Sequence, residues 1–159
     1  MINPIIESIF CSLLPIIELR GGIPLAVYRG ISIYSAFIIC VMANSFVIPL
    51  VFFFLDNLHG IFMQNRYYNK IFNKHIENKR GLLEKYIDTK WELFALMVLV
   101  GIPFPLTGAY TGTLLAWFFE VPRKRAYLAL TIGIIIAGLI VSFVVLFGIK
   151  TLDIFIKTI

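Results

Sequence analysis

Gly101-Ile102-Pro103-Phe104-Pro105-Leu106-Thr107-Gly108 interrupts an otherwise apolar stretch, Glu92 to Phe119, and the reading of that interruption decides the fold. Two prolines two positions apart, flanked by glycines, remove backbone donors and forbid a continuous helix through that point. The arms on either side, Leu93–Phe104 and Gly108–Phe119, have 12 residues each. At 1.5 Å rise per residue each is about 18 Å long, a little over half of a roughly 30 Å hydrocarbon layer. The solution is a half-helix that enters, turns at mid-depth and returns. Irregular backbone at that depth is tolerated where it is buried in protein or lines a polar cavity.

A first stretch, Pro4 to Tyr28, is broken in the same manner by Glu18-Leu19-Arg20-Gly21-Gly22-Ile23-Pro24. Two others are clean: Ile31 to Leu55 and Ala126 to Ile149 carry no charge and are long enough to cross a bilayer. Ser32 is placed to cap the former and Pro49 to kink it, while Gly133, Gly138 and Gly148 favour close helix packing in the latter. The chain of 159 residues is 60% hydrophobic and 14% charged, with mean hydropathy +0.92. Soluble domains carry about 25% charged residues, so a water-soluble globular domain is excluded, as are disorder and a collagen-like chain. Cys11 and Cys40 each sit in an apolar run and read as buried free thiols, not a disulfide scaffold. The start of the chain does not read as a secretory signal, because it lacks a basic segment and contains Pro4, Glu7 and Pro15. The expected fold is therefore an all-α integral membrane domain over residues 1–159: two re-entrant helical hairpins plus two transmembrane helices.

Charge bias favours the same arrangement. Of fourteen Lys and Arg, seven lie between Arg66 and Lys90 and three form Arg123-Lys124-Arg125. With two crossings, these ten fall on one side and Arg29, Lys150 and Lys157 on the other; with four crossings the split is nine to four. The positive-inside rule prefers two crossings, a cytoplasmic 56–91 loop and external termini in a multi-pass plasma-membrane protein. Each half is then a hairpin and one crossing, about 4–55 and 92–149, so the second copy inserts upside down as an inverted-topology repeat. Gly21-Gly22 with Leu25-Ala26 can be laid on Gly108-Ala109 with Thr113-Leu114. The loop between the halves carries Tyr68, Phe72 and Ile76 at every fourth residue, then Leu83 and Ile87, and reads either as an interfacial amphipathic segment or as a solvated basic linker. Trp91, Trp117 and Tyr127 stand where an aromatic belt would place them. The net charge of +5 flanks apolar spans, so membrane lipids, not nucleic acid, are the expected partners.

Glu18 and Arg20 are the outstanding pair, because an ionisable group between apolar arms is costly unless it is paired or faces water. In the Gly21-Gly22 turn they can pair or converge on a ligand. The arm from Gly22 to Tyr28 then starts with its free N–H groups aimed at the tip, Pro24 being an early helical residue. A helix N-terminus beside an arginine suits a phosphate or carboxylate. A carboxyl in such a low-dielectric place is suited to carrying a proton. The competing reading is a salt bridge that closes the hairpin. At the second tip Thr107, Tyr110, Thr111 and Thr113 are polar, with Gly108 and Gly112 permitting close approach. Asn44, mid-way along the first crossing, either completes the polar centre or bonds a neighbouring helix. The expected substrate-binding set is thus Glu18, Arg20, Gly21, Gly22, Asn44, Thr107, Gly108, Tyr110 and Thr111. His59 and His75 lack the neighbours of a metal site, and no phosphate-binding loop or nucleophile motif appears, so neither a cofactor nor an enzyme activity is expected.

The two tip segments, Glu18 to Pro24 and Pro105 to Gly112, resemble the signature segments of the small multidrug export protein family of bacteria and archaea. That family is distantly similar to the DedA superfamily, which resembles re-entrant-hairpin transporters and includes flippases for polyprenyl-phosphate lipids. The resemblance implies that Glu18 and Arg20 correspond to the acidic and basic hairpin residues those proteins need. It also implies an arginine in the second hairpin, where this chain has Thr107 and Tyr110 and no cation before Arg123. The leading expectation is a transporter or flippase that moves an anionic amphiphile such as a phosphate-bearing lipid, with proton coupling through Glu18. Export of cationic hydrophobic drugs and a non-transporting membrane scaffold are the alternatives. Two crossings enclose a site poorly, so a homodimer is also expected.

Overall fold

A computed structural model describes residues 3–62, 90–104 and 107–157. Six helices follow in order: α1 (Pro4–Leu13), α2 (Glu18–Tyr28), α3 (Ile33–Phe62), α4 (Lys90–Gly101), α5 (Ala109–Phe118) and α6 (Arg123–Lys157), with no strand among the described residues. The amphipathic segment expected between Tyr68 and Ile87 lies outside them. Two portions, Ile33–Leu58 and Arg123–Gly148, have 26 residues each and are long and apolar enough to cross a membrane. At 1.5 Å per residue each is about 39 Å long, beyond the roughly 30 Å required. Their outward residues are large and apolar: Ile38, Met42, Phe46, Leu50 and Phe53 on α3, and Leu128, Ile132, Ile136, Ile140 and Phe143 on α6. Water-facing surfaces of monomeric proteins rarely expose so continuous an apolar area.

Local chemistry explains the ends. The Asn3 side chain accepts the Ile5 N–H at 3.0 Å, and Pro4 occupies the first turn of α1, where its missing N–H costs nothing. Pro15 ends that helix. The turn 14–17 keeps one helical bond, Glu18 N–H to the Leu14 carbonyl at 2.9 Å, so the chain re-enters a helix at once. The first break therefore falls before Glu18, not over 18–24 as the glycines and Pro24 suggest: Gly21, Gly22 and Pro24 are all inside α2. A Cβ on Gly22 would collide with the Ser12 Oγ and press on the Cys40 Sγ, so this glycine serves the packing of α2 on α1 and α3. The second break falls where expected, between Gly101 and Ala109. Helix α3 runs through Pro49 without interruption.

The two halves correspond closely. Helices α2 and α5 end in the same cap. The N–H groups of Gly30 and Ile31 bond the carbonyls of Val27 and Ala26, and those of Glu120 and Val121 bond Trp117 and Ala116. Gly30 (φ 87) and Glu120 (φ 55) hold the left-handed position of each cap, ninety residues apart. On α3, Ala36, Cys40, Asn44, Val47, Ile48, Val51 and Phe52 are buried, and every residue ninety positions on is buried along α6. Gly22 thus corresponds to Gly112 and Leu25-Ala26 to Leu115-Ala116. The superposition on Gly108-Ala109 and Thr113-Leu114 is out of register, because the second break, 102–108, is longer than the first, 14–17. Within each half the three helices pack on one another; between halves α3 meets α5 and α6, and α2 meets α6. That pattern is unchanged when the halves are exchanged.

Helices α3 and α6 run antiparallel. Asp56 near the end of α3 pairs with Arg123 at the start of α6 at 2.7 Å, while a Cβ on Gly138 would press on Phe37 and Val41. The Arg29–Glu7 ion pair at 3.0 Å joins the end of α2 to the start of α1, so these arms double back.

Candidate functional site

Glu18 begins α2 with φ 51, a left-handed conformation that costs a side-chain-bearing residue roughly 1–2 kcal/mol, and it is 6% exposed. The strain aims its carboxylate across the molecule. The backbone amides of Ala109 and Tyr110, the first two residues of α5, hydrogen-bond to it. A helix N-terminus carries unsatisfied N–H groups and a partial positive charge, so a carboxylate is the natural occupant. Gly108, the extended residue before α5, makes the approach feasible, since a Cβ there would lie on the Glu18 carboxyl group itself.

Arg20 points the other way along the same seam. Its guanidinium donates to the carbonyls of Phe104 and Thr107, in the turn that follows α4, and to Thr107 Oγ1 at 3.3 Å. The Thr107 hydroxyl in turn donates to the carbonyls of Ile102 (3.0 Å) and Phe104 (2.8 Å), which ties the turn together. A reciprocal bond runs back: the Tyr110 hydroxyl donates to the Leu13 carbonyl, in the last turn of α1, at 2.5 Å. Tyr110 stands ninety positions after Arg20. Arg20 near the start of α2 therefore holds the turn after α4, and Tyr110 near the start of α5 holds the end of α1. Negative charge sits on a helix N-terminus and positive charge on a ring of carbonyls.

The expected residues accordingly divide. Glu18, Arg20, Thr107, Gly108 and Tyr110 meet at one place, where the two turns touch. Gly21 and Gly22 pack within the first half, since a Cβ on Gly21 would collide with Ile17. Gly112 packs within the second half against Val100 and Leu130. Thr113 is buried with its hydroxyl on the Ala109 carbonyl at 2.6 Å, the self-satisfied state open to a threonine in a helix. Thr111 is partly buried on α5. Asn44 is 1% exposed and its Oδ1 has no hydrogen-bond partner. It stands one turn beyond Cys40, which faces Gly22, and so lies on the α2 side of α3 at the depth of the turns.

Reading residues alone missed the backbone partners, the carbonyls of Leu13 and Phe104 and the amide of Ala109, because main-chain groups leave no mark in a sequence. It also missed a second cluster, where Asp56 accepts from Trp117 Nε1 at 3.1 Å and from Arg123, whose guanidinium lies 5.5 Å from the centre of the Phe52 ring. Trp117 thus anchors α5 to α3, a role beyond that of an aromatic-belt residue.

A family model described as Putative small multi-drug export protein matches residues 18–140, from Glu18 through both turns to the middle of α6. The chain belongs to this family. No curated protein and no solved structure matches it. The small multi-drug export description is one of transport, and two helices able to cross a membrane accord with a membrane transporter. Every residue of the Glu18–Arg20–Tyr110 seam except Leu13 falls inside the matched span.

Proposed function

We propose that this chain is a flippase-type membrane transporter that moves an anionic amphiphile, a phosphate-bearing lipid such as a polyprenyl phosphate, with protons coupled through Glu18. The observation that carries the reading is the seating of the Glu18 carboxylate on the N-terminus of α5 beside the Arg20 guanidinium. An anion-binding arrangement is present, and the protein's own carboxylate fills it. A phosphate group has the same chemistry, would compete for the same amides and would draw the Arg20 guanidinium from its turn carbonyls. Protonation of Glu18 removes its claim on the amides and admits the head group; release of the proton expels it. The buried, unpartnered Asn44 Oδ1 at the same depth supplies a further polar atom for such a group.

In this reading the short helix pairs α1–α2 and α4–α5 are re-entrant hairpins, and α3 and α6 are the crossings. Arms of 10 to 12 residues reach about 15–18 Å, roughly half a bilayer. The ninety-residue correspondence between halves with antiparallel α3 and α6 supports an inverted repeat, an architecture in which substrate sites lie at the midplane between repeats.

The family description names multi-drug export; export of cationic hydrophobic drugs calls for a free carboxylate in a cavity. Glu18 is not free in a cavity but seated on helix amides, and this favours the anionic substrate. Reconstitution in liposomes, with a labelled polyprenyl phosphate in one arm and a cationic dye in the other, separates the two. The expected result is movement of the lipid that Arg20→Ala abolishes and that Glu18→Gln uncouples from a proton gradient. Undiminished lipid movement in Arg20→Ala, or movement of the dye alone, overturns the proposal.

A further inference from the structure

At the end of the α3–α6 crossing opposite Asp56, the two helices part and leave a cleft of about 460 Å³ between Ile33, Tyr34 and Phe37 on α3 and Leu139, Ser142 and Phe143 on α6. Its floor is the close approach at Gly138, where a Cβ would press on the Phe37 ring. Ser142 is 9% exposed and its Oγ is buried without a hydrogen-bond partner. In a helix a serine hydroxyl is readily satisfied by the carbonyl one turn back. Here it is left unpaired in a wall that is otherwise apolar.

The correspondence between halves makes the void informative. Ninety residues before Ser142 stands Phe52, and ninety after Ile33 stands Arg123. At that mirrored corner the Phe52 ring is buried, Arg123 lies over it and Asp56 closes the end. The two ends of the crossing thus differ in chemistry: the cavity of about 320 Å³ at the mirrored corner is lined by Glu120 and Arg123, whereas no charged side chain lines the cleft at Ser142. Position 142 carries a hydroxymethyl group where its counterpart carries a phenyl ring, so the wall is smaller and more polar here.

We infer that this cleft is a binding site for a small uncharged apolar molecule that carries one hydrogen-bonding group, entering from the hydrocarbon layer and bonded by Ser142. The volume lies within the range of small-molecule sites, and a few placed polar groups in an apolar wall are their usual composition. No charged side chain lines the cleft, so an ionic head group has no partner there. The outer walls, Tyr34, Ile38, Leu139 and Phe143, are exposed on the surface that the proposed bilayer covers, so the ligand reaches the site laterally without crossing water. The site is separate from the Glu18–Arg20 seam and is independent of what that seam transports.

Photolabelling tests this in full-length protein held in phosphatidylcholine nanodiscs. The probe is a neutral diazirine-bearing medium-chain alcohol, compared with a phosphatidylcholine carrying the diazirine on an acyl chain. The expected result is concentration of alcohol adducts on residues 33–38 and 139–146. Ser142→Phe, which places a ring in the cleft, should reduce them at least tenfold, and Ser142→Ala several-fold. Arg20→Ala should leave them unchanged. Should Ser142→Phe fail to fold, Leu146→Trp fills the same cleft and gives the same reading. Adducts spread evenly over the exposed belt, adducts insensitive to filling, or equal labelling by the phospholipid would each overturn the assignment, the last by making ordinary lipid the occupant.

Discussion

A single methyl group added at Gly108 would have to share its space with the Glu18 carboxyl. Gly108→Ala is therefore expected to drive the two turns apart, with destabilisation of roughly 1–3 kcal/mol from overpacking and loss of transport. Thermal denaturation in detergent and the liposome assay check the two effects. Arg20→Lys makes a sharper prediction. A planar guanidinium can reach the Phe104 and Thr107 carbonyls together, whereas an ammonium is a compact point charge without that fork. The variant should fold and lose at least tenfold in transport; activity equal to wild type would show that charge alone suffices. Glu18 and Arg20 were legible in the sequence because ionisable residues between apolar arms are costly and stand out. Their partners were not, because an N-terminal amide and a turn carbonyl belong to every residue type. The glycine that admits the carboxylate could be noticed as Gly108, but not which side chain it admits.

Among the elements, the apolar portions were readable to within a few residues, whereas the full helices α3 and α6 run seven and eight residues further, to Phe62 and Lys157, and the position of the first break was not legible. Gly21, Gly22 and Pro24 look like a turn, yet α2 passes through all three. The glycines are explained by neighbours distant in the chain, Ser12 and Cys40, which no local pattern can reveal. Pro15 alone does the breaking, in a turn so tight that one helical hydrogen bond survives across it. The second break has no such ambiguity, since Pro103 and Pro105 reinforce each other. Close packing of α4 on α6 rests on Gly133, where a Cβ would meet the Met97 carbonyl and the Val100 side chain. Gly133→Leu should separate this pair and lower the melting temperature strongly. Gly148→Leu, at a position with open space around it, should leave the melting temperature within about 0.5 kcal/mol equivalent of wild type.

For the whole molecule, the correspondence of halves was visible in the sequence as a pattern of stretches but not as a register. Few identities survive at a ninety-residue offset; burial and cap geometry reveal it because packing constrains size and exposure more than residue type. An inverted repeat with two crossings puts the 60–90 segment and the Arg123 turn on one side of the membrane. Reporter tags inserted at those two places should respond alike, and opposite responses would require four crossings. The exposed apolar side chains of α3 extend from Tyr34 to Phe54, and those of α6 from Leu128 to Phe147. Each run rises about 30 Å, so in the proposed arrangement the two helices act as a matched pair of rulers. A molecule gauged in this way is sorted by its surroundings. If α3 and α6 are the crossings, in bilayers of short-chain lipids they must tilt, and tilt would slide the two short helix pairs past each other, misaligning the Glu18 contact. Transport should accordingly peak in lipids of intermediate chain length and fall on either side, which makes membrane thickness itself a control on this protein.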